Sequence, residues 1–184
     1  EWIDGESEAV IGGADEVVTV SYEELRRISS LRTPHNVLAV APMRKAQFSD
    51  DSIRGRLTPV LECVQDPGNL GTIIRIAAWF GMGNIICSPD SVDFYNPKVI
   101  QATMGAFMHV NVWYRPLDEL LRYAAGEGIP VYGTTTDGTS VYESELGSEG
   151  IILFGNESKG ISAGLLQHVT RRITIPGPPN PVAG

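Results

Sequence analysis

Apolar residues fall along this chain in short runs separated by stretches of helical period. The runs lie at 59–64 (PVLECV), 84–88 (NIICS), 109–114 (HVNVWY), 130–133 (PVYG), 151–155 (IILFG) and 171–175 (RRITI). Runs of this length, rich in β-branched and aromatic residues, predict strands. Between them, residues 72–80 (TIIRIAAWF), 97–104, 117–125 and 163–168 predict helices. Gly81 and Gly83 end the first of these, and Asp118 and Glu119 favour the start of the third, where the helix dipole stabilises acids. Strands that are apolar throughout, rather than alternating, imply burial on both faces. The pattern therefore predicts an α/β fold: a parallel sheet with helices on both faces.

The front of the chain is patterned differently. Residues 17–20 form a β-branched run, and SYEE at 21–24 fits a capping box with Ser21 as N-cap and Glu24 at the third helical position. The helix is expected to reach about residue 29 and stop before Pro34. Residues 35–40 (HNVLAV) predict another strand, and 41–56 are polar and basic enough to form a linker. The expected organisation is a partial N-terminal domain over 1–40, a linker over 41–56 and the main domain over 57–184. The prolines of GPPNP (177–181) continue no regular element.

Composition narrows the classes. With 42% hydrophobic and 20% charged residues among 184, the chain reads as folded rather than disordered. No window approaches the ~20 apolar residues of a membrane span, and Glu1-Trp2-Ile3-Asp4 does not start a signal peptide. There is no initiator Met, so this start is not expected to be the native one. Cys63 and Cys87 are too few for a disulfide framework or a zinc site and are expected to be inert, in a reducing cytoplasm. The net charge is −8, yet residues 26–56 hold seven bases (Arg26, Arg27, Arg32, Arg44, Lys45, Arg54, Arg56) against Asp50 and Asp51. Such a strip is either a solvated linker or a phosphate-contacting surface.

In an open parallel sheet, ligands bind beyond the carboxyl ends of the strands. Three segments leave strands there: Gln65 to Thr72 with Arg75 behind it, Phe154 to Gly160, and Ile175 to Gly177. No Walker loop, GxGxxG, HExxH or metal-ligand cluster occurs, which disfavours a flavodoxin-type nucleotide binder. His35, His109 and His168 are far apart and are expected to serve packing or surface. Arg75, among Ile73, Ile74, Ile76 and Ala77, must reach a partner or extend to water. Asn69 suits turn geometry. Glu157 is either a helix-start acid or a buried acid that pairs with a cation or holds the site together.

QDPGNLGTIIRIAAWFG (65–81) resembles the first motif of the SpoU/TrmH family of RNA ribose 2′-O-methyltransferases, in the SPOUT class. LFGNESKGIS (153–162) resembles its second motif, and NPKVIQATMGAFMHV (96–110) its middle segment. The segment 28–40 is similar to the end of the small α/β substrate-binding domain that precedes the catalytic domain in members acting on ribosomal RNA. The resemblance implies a deep trefoil knot, S-adenosyl-L-methionine as cofactor, a homodimer and no metal. It places Asn69, Arg75 and Glu157 at the methyl transfer, and Thr134, Phe154, Gly155, Asn156, Gly160 and Ile175 around the cofactor. Arg44, Lys45, Arg54 and Arg56 are the expected RNA contacts. Ribosomal RNA is favoured as substrate over transfer RNA; a non-catalytic RNA-binding relative is the alternative of another class. After Ile175-Pro176 the family's third motif has a Ser-Leu-Asn run and a long helix, where this sequence has GPPNPVAG. A truncated form of a longer chain is the expectation drawn from that departure.

Overall fold

The six apolar runs form six strands, interleaved with helices, in a single sheet. The computed structural model describes residues 14–29, 32–34, 36–43 and 48–177. The strands are β1 (Leu57–Leu61), β2 (Asn84–Cys87), β3 (Asn111–Tyr114), β4 (Val131–Ser140), β5 (Gly150–Phe154) and β6 (Arg171–Thr174). The helices are α1 (Tyr22–Ile28), α2 (Pro67–Trp79), α3 (Pro97–Ala102), α4 (Leu117–Gly126) and α5 (Ala163–Leu166). All strand pairs are parallel, in the order β3-β2-β1-β5-β4-β6. The last strands do not simply continue outward, because β5 inserts between β1 and β4.

Alternate residues of the strands feed two separate cores, as side-chain alternation requires. Val60, Ile86, Ile151 and Leu153 pack with Leu117, Leu120, Leu121 and Ala124 of α4 and Leu165 of α5. Leu61, Ile85 and Cys87 pack on the other face with Leu70, Ile74 and Ala77 of α2 and Val99 of α3. Burial there pushes the Cys87 thiol up to about 12, so it is inert at neutral pH.

Helix α2 begins five residues earlier than its apolar pattern predicts. Asp66 caps it, Oδ1 accepting from the Asn69 N–H at 2.8 Å, and Pro67 occupies the first position, where its missing N–H costs nothing. Gly68 and Gly71, which read as turn residues, therefore sit inside the helix. Gly71 is there for space, since it lies directly against Ala102 of α3.

The chain divides into two compact units, Glu1–Lys45 and Ala46–Gly184. In the first, the expected capping box is present: Ser21 Oγ accepts from the Glu24 N–H at 3.3 Å, and Glu24 Oε2 accepts from the Ser21 N–H at 2.8 Å. The strands expected over 17–20 and 35–40 are not formed at 17–20 and 36–40, and residue 35 lies outside the described residues. A β-branched run becomes a strand only where a neighbour completes its hydrogen bonds, and no strand of the described residues lies within this unit. In the second unit, residues 48–56 are held on the sheet. Ile53 is fully buried, Phe48 lies 5.6 Å from the Trp113 ring, and Asp50 pairs with Arg115.

A Cβ at residue 71 would lie 2.4 Å from Ala102 Cβ and 3.0 Å from its carbonyl carbon. Gly71→Ala should therefore destabilise the protein by about 1–3 kcal/mol, overcoming alanine's better helix propensity. Urea unfolding should show a lower midpoint at unchanged slope.

Candidate active site

Because β1 and β5 are neighbours, with Leu61 opposite Phe154, the segments that follow them emerge side by side. The turn after β1 is tight. Cys63 adopts φ +53, in the left-handed region. Its N–H donates to Ser88 Oγ at 2.7 Å, and its carbonyl accepts from Asn156 Nδ2 at 2.9 Å. The hydrogen bond to Asp90 raises the Cys63 thiol above its ordinary range.

The Asp66 cap sets the first turn of α2, and with it Asn69. Asn69 Nδ2 donates across to Glu157 Oε1 at 3.1 Å, and Asn156 Nδ2 donates to the other oxygen at 3.3 Å. Glu157 is thus neither a buried acid nor a helix-start acid: it is an exposed carboxylate oriented by two amides. The loop that carries it closes on itself. Asn156 and Gly160 exchange backbone hydrogen bonds of 3.0 and 2.9 Å, and Asn156 Oδ1 accepts from the Ser158 and Lys159 N–H groups at 3.0 and 3.1 Å. Gly160 makes the reversal with φ +70.

Arg75 follows Asn69 by six residues, a rise of about 9 Å along α2. It lies off the buried stripe of Leu70, Ile74 and Ala77 and is exposed. Among the described residues its guanidinium makes no hydrogen bond or ion pair, so its donors are available. Asn69 and Glu157 are brought together directly; Arg75 joins them only through the shared helix.

The residues expected around the cofactor fall on or just after three adjacent strands. Phe154 ends β5 and Gly155, Asn156 and Gly160 follow it, Thr134 lies inside β4, which runs on to Ser140, and Ile175 follows β6. Thr134 Oγ1 donates to the Leu153 carbonyl at 3.0 Å, tying β4 to β5 at this level. Nothing lies within 4 Å of where a Gly160 Cβ would stand, while its N–H and carbonyl are already paired with Asn156.

The basic residues separate. Arg44 and Lys45 lie outside the described residues. Arg54 is engaged by Asp51 at 3.1 Å, by Tyr123 Oη at 3.3 Å and by Glu127. Arg56 is exposed. His168 Nε2 is 2.9 Å from Asp118 Oδ1, and His109 is exposed. Arg122, and then His168, hold the Asp118 carboxyl below its usual range. Sequence reasoning passed over Glu62, whose Oε2 accepts the Ser162 N–H at 2.8 Å. Its signal was present, as an acid inside the apolar run PVLECV.

The model of the SpoU rRNA Methylase family matches residues 56–181. The 23S rRNA (guanosine(2553)-2′-O)-methyltransferase RlmP of Bacillus subtilis (strain 168) is 29% identical over 158 residues, which are 85% of this chain and 62% of RlmP. A solved structure from Porphyromonas gingivalis, assigned to the TrmH family of RNA methyltransferases, has TM-score 0.72 at 37% identity. It covers 86% of this chain, which spans 63% of that one. An AdoMet-bound rRNA methyltransferase from Sinorhizobium meliloti has TM-score 0.62 at 29% identity, over 71% of this chain and 50% of its own. The chain thus spans less than two thirds of the length of these relatives.

A Cβ on residue 155 would lie 2.1 Å from the Gly160 carbonyl carbon and 2.2 Å from the Ile161 nitrogen. Both are backbone atoms, so the loop must open to admit it. Gly155→Ala should leave the far-ultraviolet circular dichroism unchanged while the Asn69 and Glu157 resonances shift in NMR spectra.

Proposed function

The chain belongs to the SpoU rRNA Methylase family, and from that membership we propose that it transfers a methyl group from S-adenosylmethionine to a ribose 2′-hydroxyl of RNA. The observation that carries this reading is the 3.1 Å bond between Asn69 and Glu157. It joins two segments far apart in sequence at the end of the sheet where ligands bind.

S-adenosylmethionine, when bound, supplies an electrophilic methyl group on a sulfonium; Thr134, Phe154, Gly155, Asn156, Gly160 and Ile175 are the residues that would hold it. Arg75 has the role of donor to the acceptor hydroxyl, orienting it and stabilising the negative charge that develops on oxygen. Its guanidinium stays protonated, so the proton of that hydroxyl leaves to another acceptor. Glu157, held at both oxygens, shapes the wall of this pocket, and Asn69 keeps that carboxylate in place.

Ribosomal RNA is the favoured substrate, supported by the 23S rRNA methyltransferase activity of the Bacillus relative. The cytoplasm is the working compartment read from the bacterial relative. Residues 1–40 are read as part of a substrate-binding domain, and the chain beyond β4 as the knotted portion. Arg56 is read as an RNA contact, whereas Arg54 acts first through its two carboxylate partners. The working form is a homodimer. Its support is the outer face of α2, where Ile76, Trp79 and Phe80 are exposed in a row, Trp79 at 85%. A contiguous apolar face of this kind is usually covered by a partner.

Calorimetric titration should show S-adenosylmethionine binding by the wild-type protein, and its absence would overturn the reading. Arg75→Ala should keep that affinity within about threefold while methyl transfer to RNA falls by about 100-fold or more. Sedimentation should give a mass of about twice 19.9 kDa. Trp79→Glu should bring it to the single-chain value.

A further inference from the structure

The loop that carries Glu157 is held at both ends by one residue. Glu62 stands immediately after β1. Its N–H donates to the Phe154 carbonyl at 2.8 Å, where the loop begins. Its side-chain Oε2 accepts the Ser162 N–H at 2.8 Å, where the loop ends. The other tie from the same turn, Cys63 carbonyl to Asn156 Nδ2, holds the loop near its entry. Among the described residues, the Glu62 carboxylate is therefore the only side chain of the β1 turn that grips the exit. Between the two grips, Glu157, Ser158, Lys159 and Gly160 are exposed, and Ile161 packs against the first core.

We propose that Glu62 is a positioning residue: its carboxylate, through the Ser162 N–H, fixes the exit of the 155–161 loop and so sets the backbone at Gly160 and the placement of Glu157 against Asn69. A backbone N–H bonded to a carboxylate is a charge-assisted contact, stronger than a neutral one. Losing it leaves the exit held by Ile161, which packs against the first core, and by the internal bridge between Asn156 and Gly160. The backbone from Glu157 to Gly160 then loses its fixed registration against the β1 turn. The requirement is for an acceptor at that position, which glutamine also supplies.

The proposal rests on the methyltransferase reading, and S-adenosylmethionine titrated into three proteins tests it. Glu62→Ala should weaken cofactor binding by about tenfold, the scale of one lost charge-assisted hydrogen bond. Glu62→Gln should stay within about threefold of wild type. A purely structural role would lower the melting temperature of Glu62→Ala with the affinity unmoved, and that result would overturn the proposal. So would a glutamine variant as impaired as the alanine one. Wild-type protein that binds no cofactor would overturn the methyltransferase reading itself, and the proposal with it. Should Glu62→Ala fail to fold, amide exchange in wild type decides: the Ser162 N–H should be protected, and free exchange would overturn the bond on which the proposal stands.

Discussion

The parallel ladder between β1 and β5 is the constraint on which the rest depends. Leu57 pairs with Gly150 and Leu61 with Phe154, so the two strands end at the same level. This alignment sets α2 and the 155–161 loop beside each other. A slip of one residue would displace the loop by about 3.3 Å and turn Ile151 and Leu153 out of their core. The apolar burial on both faces of the sheet is thus what makes the site precise. Asn69 and Glu157 need not hold their segments together; the strands beneath them do.

The site itself is polar and open to water, which changes how its charges work. Glu157 is exposed, so its bonds to Asn69 and Asn156 contribute orientation rather than much stability. Arg75 stands on the same helix with its donors unused by the protein. Its distance from Glu157 is set by α2 alone, since no bond joins the two. The glycines shape the loop that carries Glu157. Gly155 lets two backbone segments touch, and Gly160 makes the reversal at φ +70.

Charge that looks alike in the sequence is used in different ways. Arg54 and Arg56 are two residues apart in one basic strip. Arg54 is anchored to Asp51, Tyr123 and Glu127, fastening the 3₁₀ turn at Asp50–Ile53 to α4. Arg56 faces water. Ile53 sits in the core beneath them. Polarity made this stretch read as a linker, and one buried isoleucine with its flanking ion pairs makes part of it an integral piece of the second unit.

The sequence by itself determined what is local. The six strands and the capping box at Ser21 and Glu24 were legible because periodicity and capping chemistry are properties of neighbouring residues, whereas the two motifs that carry Asn69, Arg75 and Glu157 were read from a resemblance to the family. Even there, propensity had limits: residues 17–20 and 36–40 have the composition of strands and no ladder partner. The tertiary structure alone decided the strand order, and with it every contact across the site. Nothing within PVLECV announces that Glu62 reaches Ser162, and nothing in the second motif says that Glu157 lies exposed between two amides. Those facts follow from β5 entering the sheet between β1 and β4, a choice made by packing two apolar faces at once, and such packing links residues the chain keeps far apart.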